Sequence, residues 1–213
     1  MPNTLMIHVT RQLIAARIIP VLRYCDADTA WYAADIAIRA GFSAIELTCT
    51  TPGVLELLRT LRQQHGQAVL LGVGTVLDGD MAHAALNAGA DFLVSPGLAA
   101  DIADAAHDAG KPCLLGAWSP SEVMAALRAG ADMVKIFPAS SGGPGHLAAL
   151  RAVFPHVAFC PTGGITSDNL HAYFKAGASC AGIGGALYNN DALTARDTAS
   201  LIASLRSLKA NLP

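Results

Sequence analysis

Charge is scarce in this sequence: Asp, Glu, Lys and Arg make up only 14% of 213 residues. With apolar residues at 53%, the chain has the material for a large core and little of the composition that keeps a polypeptide disordered. Neither sign of charge dominates. A net charge of −2 and a pI near 6.4 supply no basic surface for nucleic acid or an anionic membrane, so an anionic ligand has to be caught by a local site. The five cysteines (25, 49, 113, 160 and 180) are odd in number and contain no C-x-x-C, which points to reduced thiols in a cytoplasmic protein. The seven histidines form no H-x-x-x-H or H-E-x-x-H, which argues against a dedicated zinc site. No apolar run is long enough to cross a bilayer without interruption. Residues 4–17 place Leu5, Met6, Val9, Leu13 and Ile14 among polar positions, the pattern of an amphipathic helix and not of a secretory leader.

What the chain does have is a recurring phrase. Ala-Gly occurs with its glycine at 41, 89, 110, 130 and 177, so the gaps are 48, 21, 20 and 47. The long gaps are about twice the short ones, and His65-Gly66 and Phe154-Pro155 supply the missing punctuation. Each phrase closes a helix-like segment, where a left-handed residue is needed and a side chain would be penalised. Apolar runs follow at 18–22, 43–47, 68–73, 91–95, 112–116, 132–137, 157–161 and 180–184. They are nearly continuous, as expected of parallel strands covered by helices. Helical patterns separate them, among them 27–40, 54–64, 81–88 and 120–129. Eight such units of about 20 to 25 residues predict an α/β fold, a (β/α)8 TIM barrel with an N-terminal helix, in preference to an open doubly wound sheet. With no linker or low-complexity stretch, one barrel domain is expected over 1–213.

In such a barrel the chemistry sits at the carboxyl ends of the strands. On the second strand, if Ile45 and Leu47 face helices, then Ala44, Glu46 and Thr48 face inward. On the sixth, if Val134 and Ile136 face outward, then Met133, Lys135 and Phe137 face inward. A carboxylate and an amine thus enter one apolar cavity. A purely structural ion pair is the plain alternative, although such pairs stabilise little once desolvation is counted. Apolar surroundings favour the neutral, nucleophilic amine, and a neighbouring carboxylate is a candidate base. The seventh and eighth strands run into glycine pairs, Thr162-Gly163-Gly164 and Gly184-Gly185, where many barrels hold a phosphate; tight turns alone would also require glycine there. Arg23, Gly74-Thr75 and Ser95-Pro96-Gly97 follow the first, third and fourth strands; Arg23 and Thr75 either orient a carboxylate or keto oxygen or are plain loop residues. Asp78, Asp80 and Glu122 read as helix-start residues. Trp118 either lines the mouth of the site or packs on the surface.

Together these motifs carry a resemblance. Glu46 in I-E-L-T, G-V-G-T-V at 72–76, S-P-G-L at 95–98, K-I-F-P at 135–138 and P-T-G-G-I at 161–165 resemble the 2-keto-3-deoxy-6-phosphogluconate (KDPG) and 4-hydroxy-2-oxoglutarate (KHG) aldolases, a family that includes the 2-keto-3-deoxy-6-phosphogalactonate (KDPGal) aldolases. The resemblance runs over about residues 18–188. It implies a cytoplasmic, homotrimeric class I aldolase that uses no metal or other cofactor and acts on a small, phosphorylated keto acid. In that reading Lys135 is the Schiff-base amine and Glu46 the proton shuttle. Arg23, Thr75, Pro96, Thr162, Gly163, Gly164, Gly184 and Gly185 contact substrate. A barrel isomerase or synthase without a covalent lysine, and a non-catalytic ligand-binding barrel, are the alternatives. Three departures stand out. Thr50 replaces an arginine that often follows the glutamate, Ala186 replaces a serine after the second glycine pair, and Leu115 stands where proline usually precedes Gly116. The first resembles the KDPGal branch, and losing it removes a bidentate carboxylate donor.

Overall fold

A computed structural model describes residues 4–212, so residues 1–3 and 213 of the expected 1–213 unit lie outside it. An opening helix, α1 (Thr4–Ala16), leads into eight strands: β1 (Ile18–Leu22), β2 (Ala44–Thr48), β3 (Leu70–Gly74), β4 (Phe92–Val94), β5 (Cys113–Ala117), β6 (Met133–Ile136), β7 (Phe159–Pro161) and β8 (Ala181–Ile183). Helices α2 (Ala27–Arg39), α3 (Val54–His65), α4 (Gly79–Asn87), α5 (Ala100–Asp108), α6 (Pro120–Arg128), α7 (Gly143–Val153) and α8 (Ser167–Lys175) connect them. Two more, α9 (Asn190–Thr194) and α10 (Thr198–Ala210), follow β8. All strands are parallel, each beside its sequence neighbour, and β1 also pairs with β8. A parallel bridge between Thr162 and Gly182 joins the remaining edges of β7 and β8. The result is the expected eight-stranded barrel wrapped in helices. No described helix is long and apolar enough to cross a membrane.

The repeated Ala-Gly phrase has the backbone role its position implied. Gly41, Gly89, Gly110, Gly130 and Gly177 all have positive φ, between 68° and 102°. The residue after each glycine donates its N–H back into the helix, as Phe42 does to Ala37 and Ala90 to Ala85, both within 3.1 Å. This double wrap ends each helix and turns the chain into the next strand.

Strand alternation sorts side chains into two cores. Ile45, Leu47, Val134 and Ile136 belong to the outer layer between sheet and helices. Ile19, Ala44, Phe92, Val94, Leu114, Met133, Cys160 and Cys180 fill the barrel, and Val9 and Leu13 of α1 close it from below. Fully buried Leu13 makes α1 a stopper at the amino end of the strands. Gly72 completes the packing by having no side chain: a Cβ there would lie 2.2 Å from the Phe92 ring.

Candidate active site

Above that apolar plug, the carboxyl end of the barrel is polar. Glu46 and Lys135 both face inward and are almost wholly buried, with Lys135 Nζ 3.6 Å from Glu46 Oε1. Glu46 Oε1 has no hydrogen-bond partner among the described residues. A buried carboxylate oxygen without a donor is costly, and the amine is its compensating charge. Space for the carboxylate comes from β3: a Cβ on Gly74 would lie 1.9 Å from Glu46 Oε1. Phe137, just past β6, sets its ring centroid 5.3 Å from Nζ and walls the amine.

A cavity of about 230 Å³ opens beside this pair, lined by Val21, Arg23, Lys135, Phe137, Thr162, Gly163, Gly164, Ile165, Gly184, Gly185 and Ala186. It therefore gathers Lys135 and six of the eight expected substrate contacts. Glu46 meets it through Lys135, and Thr75 through Arg23, whose Nη2 donates to Thr75 Oγ1 at 3.1 Å. Thr75 itself holds φ 59°, uncommon for a β-branched residue and a local backbone strain at the cavity rim. Pro96 is set apart. It lines an adjoining hollow of about 110 Å³ with Gly116, Trp118 and Glu122, and Phe137 is the wall common to both.

The two glycine pairs differ. Gly163 and Gly164 are both left-handed, at φ 89° and 78°, so a side chain at either is strained. Their carbonyls are tied down by Ser140 N–H at 3.0 Å and Asn169 Nδ2 at 2.8 Å, which fixes the loop at the N-terminus of α8. Gly184 and Gly185 have negative or unremarkable φ and enter a short 3-10 turn, Gly185–Leu187. Neither handedness nor a close contact within the chain requires glycine here: a Cβ at Gly185 would meet nothing within 4 Å, and one at Gly184 only the Val21 carbonyl at 3.8 Å. Two cations, Arg23 and Lys135, face the cavity from its lining, against the single carboxylate of Glu46, which suits an anionic ligand.

The surrounding residues resolve other expectations. Asp78 caps α4 by accepting from Met81 N–H at 2.8 Å, Asp80 lies in the same first turn, and Glu122 completes a capping box with Ser119 on α6. Trp118 stacks on His146 with centroids 4.3 Å apart and lines the Pro96 hollow. Thr50, at the arginine position of the related motif, bonds the Thr48 hydroxyl at 3.0 Å. Burial, and then the carboxylates of Asp78 and Glu46, push the neighbouring Cys49 thiol up. Sequence reading gave Cys160 no place at the site, yet it pairs in register with Lys135 inside the barrel. Its signal was present in the alternation of β7, since Cys160 and Thr162 share one face.

Comparison with known proteins adds an independent line. The family model described as KDPG and KHG aldolase matches residues 9–204. The chain is similar to the 2-dehydro-3-deoxy-phosphogluconate aldolase of Pseudomonas aeruginosa, 40% identical over 159 residues, which is 74% of this chain and 72% of that one. It is also similar to the 2-dehydro-3-deoxy-6-phosphogalactonate aldolase of Escherichia coli, 33% identical over 172 residues, 80% and 84% of the two chains. Among solved structures it resembles a KDPG aldolase from Legionella pneumophila with pyruvate captured as a covalent carbinolamine. That match has a TM-score of 0.85 and 31% identity, over 93% of this chain and 97% of the other.

Proposed function

Because this chain belongs to the family of KDPG and KHG aldolases, we propose that it reversibly cleaves a 2-keto-3-deoxy-6-phospho sugar acid, of the gluconate or galactonate type, to pyruvate and glyceraldehyde 3-phosphate. Cleavage of 4-hydroxy-2-oxoglutarate to pyruvate and glyoxylate is the same chemistry on a shorter substrate. The observation that carries this reading is the buried amine of Lys135 set 3.6 Å from an otherwise unpartnered carboxylate oxygen of Glu46, at the mouth of an anion-compatible cavity.

Lys135 attacks the keto carbon, and Glu46 carries protons through the carbinolamine as water leaves and the imine forms. The protonated imine withdraws electrons from the bond between carbons 3 and 4. Glu46, directly or through water, takes the proton of the carbon-4 hydroxyl, so that bond breaks and an aldehyde departs. The remaining enamine is protonated at carbon 3 and hydrolysed to pyruvate. The imine is itself the electron sink, so this sequence does not call on a metal ion. Arg23 and Thr75 orient the acid end of the substrate. Thr162, Gly163, Gly164, Gly184 and Gly185, with the N-terminus of α8, receive the distal phosphate, and Pro96 shapes the neighbouring wall. An inert barrel leaves the unpartnered carboxylate without a task, whereas an isomerase or synthase would use Lys135 and Glu46 as acid and base without a covalent adduct, and the adduct is what separates it from the aldolase.

The test is borohydride reduction in the presence of pyruvate, followed by peptide mass spectrometry. A pyruvate-sized adduct on Lys135 is expected; its absence, or its appearance on another residue, overturns the assignment. A panel of keto acids with and without terminal phosphate then ranks the substrates. A single barrel domain, assembled as a cytoplasmic homotrimer, completes the proposal, and sedimentation equilibrium measures the assembly.

A further inference from the structure

A second cluster of chemistry-bearing side chains lies far from the cavity, at the amino ends of β5 and β6. His107 comes from the last turn of α5, Cys113 opens β5, and Asp132 immediately precedes β6. His107 Nε2 lies 3.0 Å from Asp132 Oδ2, and one donor atom from each of the three residues lies within 4.8 Å of the other two. Cys113 is fully buried, whereas the His107 side chain is 34% exposed, so the cluster has one closed side and one open side. We propose that His107, Cys113 and Asp132 form a binding site for a borderline divalent transition-metal ion such as zinc, with solvent supplying the fourth ligand.

The barrel provides its own comparison. The same three-point arrangement occurs two βα units earlier, built from Arg62, Leu71 and Asp91. Arg62 comes from the end of α3, Leu71 lies on β3, and Asp91 immediately precedes β4. Asp91 Oδ2 accepts the Leu71 N–H at 3.0 Å, just as Asp132 Oδ2 accepts the Cys113 N–H at 2.9 Å. Arg62 forms an ion pair with Asp91, in the place where His107 faces Asp132. The earlier copy is a plain buckle: a carboxylate ties two strands together, a guanidinium neutralises it, and Lys111 adds a second cation at 3.3 Å. In the later copy both non-carboxylate members are exchanged for metal ligands, guanidinium for imidazole and aliphatic side chain for thiol. A counter-ion role explains the first exchange; the second keeps a buried apolar contact and adds a thiol, which reaches the Gly130 carbonyl at 4.0 Å, on the side of the carboxylate and imidazole.

The donor set and spacing fit that ion. Nitrogen, sulfur and oxygen at tetrahedral zinc lie about 3.3–3.8 Å apart, given bonds of about 2.0–2.3 Å. The atoms here need shifts of an ångström or less to reach that geometry. Gly130 leaves room for the imidazole, since a Cβ there would lie 3.1 Å from His107 Cε1. Binding replaces the Cys113 S–H bond with a sulfur–metal bond and releases the proton to solvent. Burial, reinforced by the Asp132 carboxylate, pushes the free thiol up to about 12, so the ion has to displace a firmly held proton. The three ligands are 6 and 19 residues apart, too scattered for any local motif, which is why the histidine pattern alone argued against a zinc site.

The test titrates Co2+ into the full-length reduced chain and reads the thiolate-to-cobalt charge-transfer band together with the visible d–d bands. Two variants copy the earlier buckle, His107→Arg and Cys113→Leu, and each keeps a packed side chain in place. One equivalent of cobalt with a thiolate band is expected for the wild type, and no such band for either variant. A wild type without the band, or a band that persists in either variant, overturns the site. Circular dichroism checks that each variant folds, with His107→Gln and Cys113→Ala as replacements for one that does not. The inference is independent of the aldolase reading, because the Lys135 adduct is measured separately and is expected in all of these proteins.

Discussion

At the scale of single residues, the pair Lys135–Glu46 carries the chemistry and a glycine makes it possible. Glu46→Gln keeps the shape of the carboxylate and removes its basicity. Turnover is expected to fall about 100- to 10,000-fold, the usual worth of a positioned acid/base group. Steady-state kinetics measure the fall, and turnover within tenfold of wild type would show that Glu46 is not the shuttle. Gly74→Ala tests the same geometry without touching either charge. The new Cβ would occupy the place of Glu46 Oε1, 1.9 Å away, so the carboxylate must swing off its 3.6 Å approach to Nζ. A kcat loss of at least about tenfold is expected in the folded variant, measured well below its melting temperature, which overpacking lowers at a cost of about 1–3 kcal/mol of stability, since a displacement near 1 Å at a reacting group is that costly. Both Glu46 and Lys135 were legible in the sequence, because period-two alternation puts an odd charge among apolar neighbours on a definite face. Thr75's left-handed backbone and the adjacency of Cys160 to Lys135 were not. The first depends on the turn around Gly74, and the second on register between strands 25 residues apart.

At the scale of elements, helix ends were readable and the cross-links between strands were not. Asp78 and Glu122 announced their helices because a capping residue acts within three or four positions of itself. Glu122 accepts the N–H groups of Trp118 and Ser119, at 2.8 and 2.7 Å, and these bonds, that to Ser119 foremost, hold its carboxyl below the usual range. A carboxyl depressed on folding stabilises above its unfolded pKa, and that stability is lost as pH falls through the folded value. Glu122→Gln should therefore melt below wild type at neutral pH, with the gap closing on acidification. A gap that is constant with pH would show that the charge contributes nothing. The Arg62–Asp91–Lys111 buckle spans α3, β4 and the loop before β5, and only folding brings those segments together. Arg62→Ala leaves a nearly buried carboxylate with one remaining cation. A loss of up to about 3–5 kcal/mol is expected in urea unfolding, lessened by whatever Lys111 retains.

For the whole molecule, the parallel barrel separates two tasks along one axis. Every strand delivers its carboxyl end to the same face, so Arg23, Glu46, Thr75, Lys135, Thr162 and the glycine pairs arrive together from segments spread over the chain. Every strand also starts at the opposite face, where α1, the Asp91 buckle and the His107–Cys113–Asp132 cluster lie. The Ala-Gly period made the eightfold plan visible, because five of the units end their helix in the same way. The closure of β7 on β8 through Thr162 and Gly182 is a property of the assembled ring. If the two faces are energetically distinct, mutations should separate stability from activity. Leu13→Ala empties part of the apolar plug inside the barrel and is expected to cost about 2–5 kcal/mol, read as a lower melting temperature. Its kcat, measured well below that melting point, should match wild type. Glu46→Gln should show the reverse balance, little turnover with a fall in melting temperature no larger than that of Leu13→Ala, the fall reflecting the counter-charge that buried Lys135 loses. A loss of kcat in folded Leu13→Ala would mean that the apolar plug sets the positions of Glu46 and Lys135, and that the two ends of the barrel act as one unit.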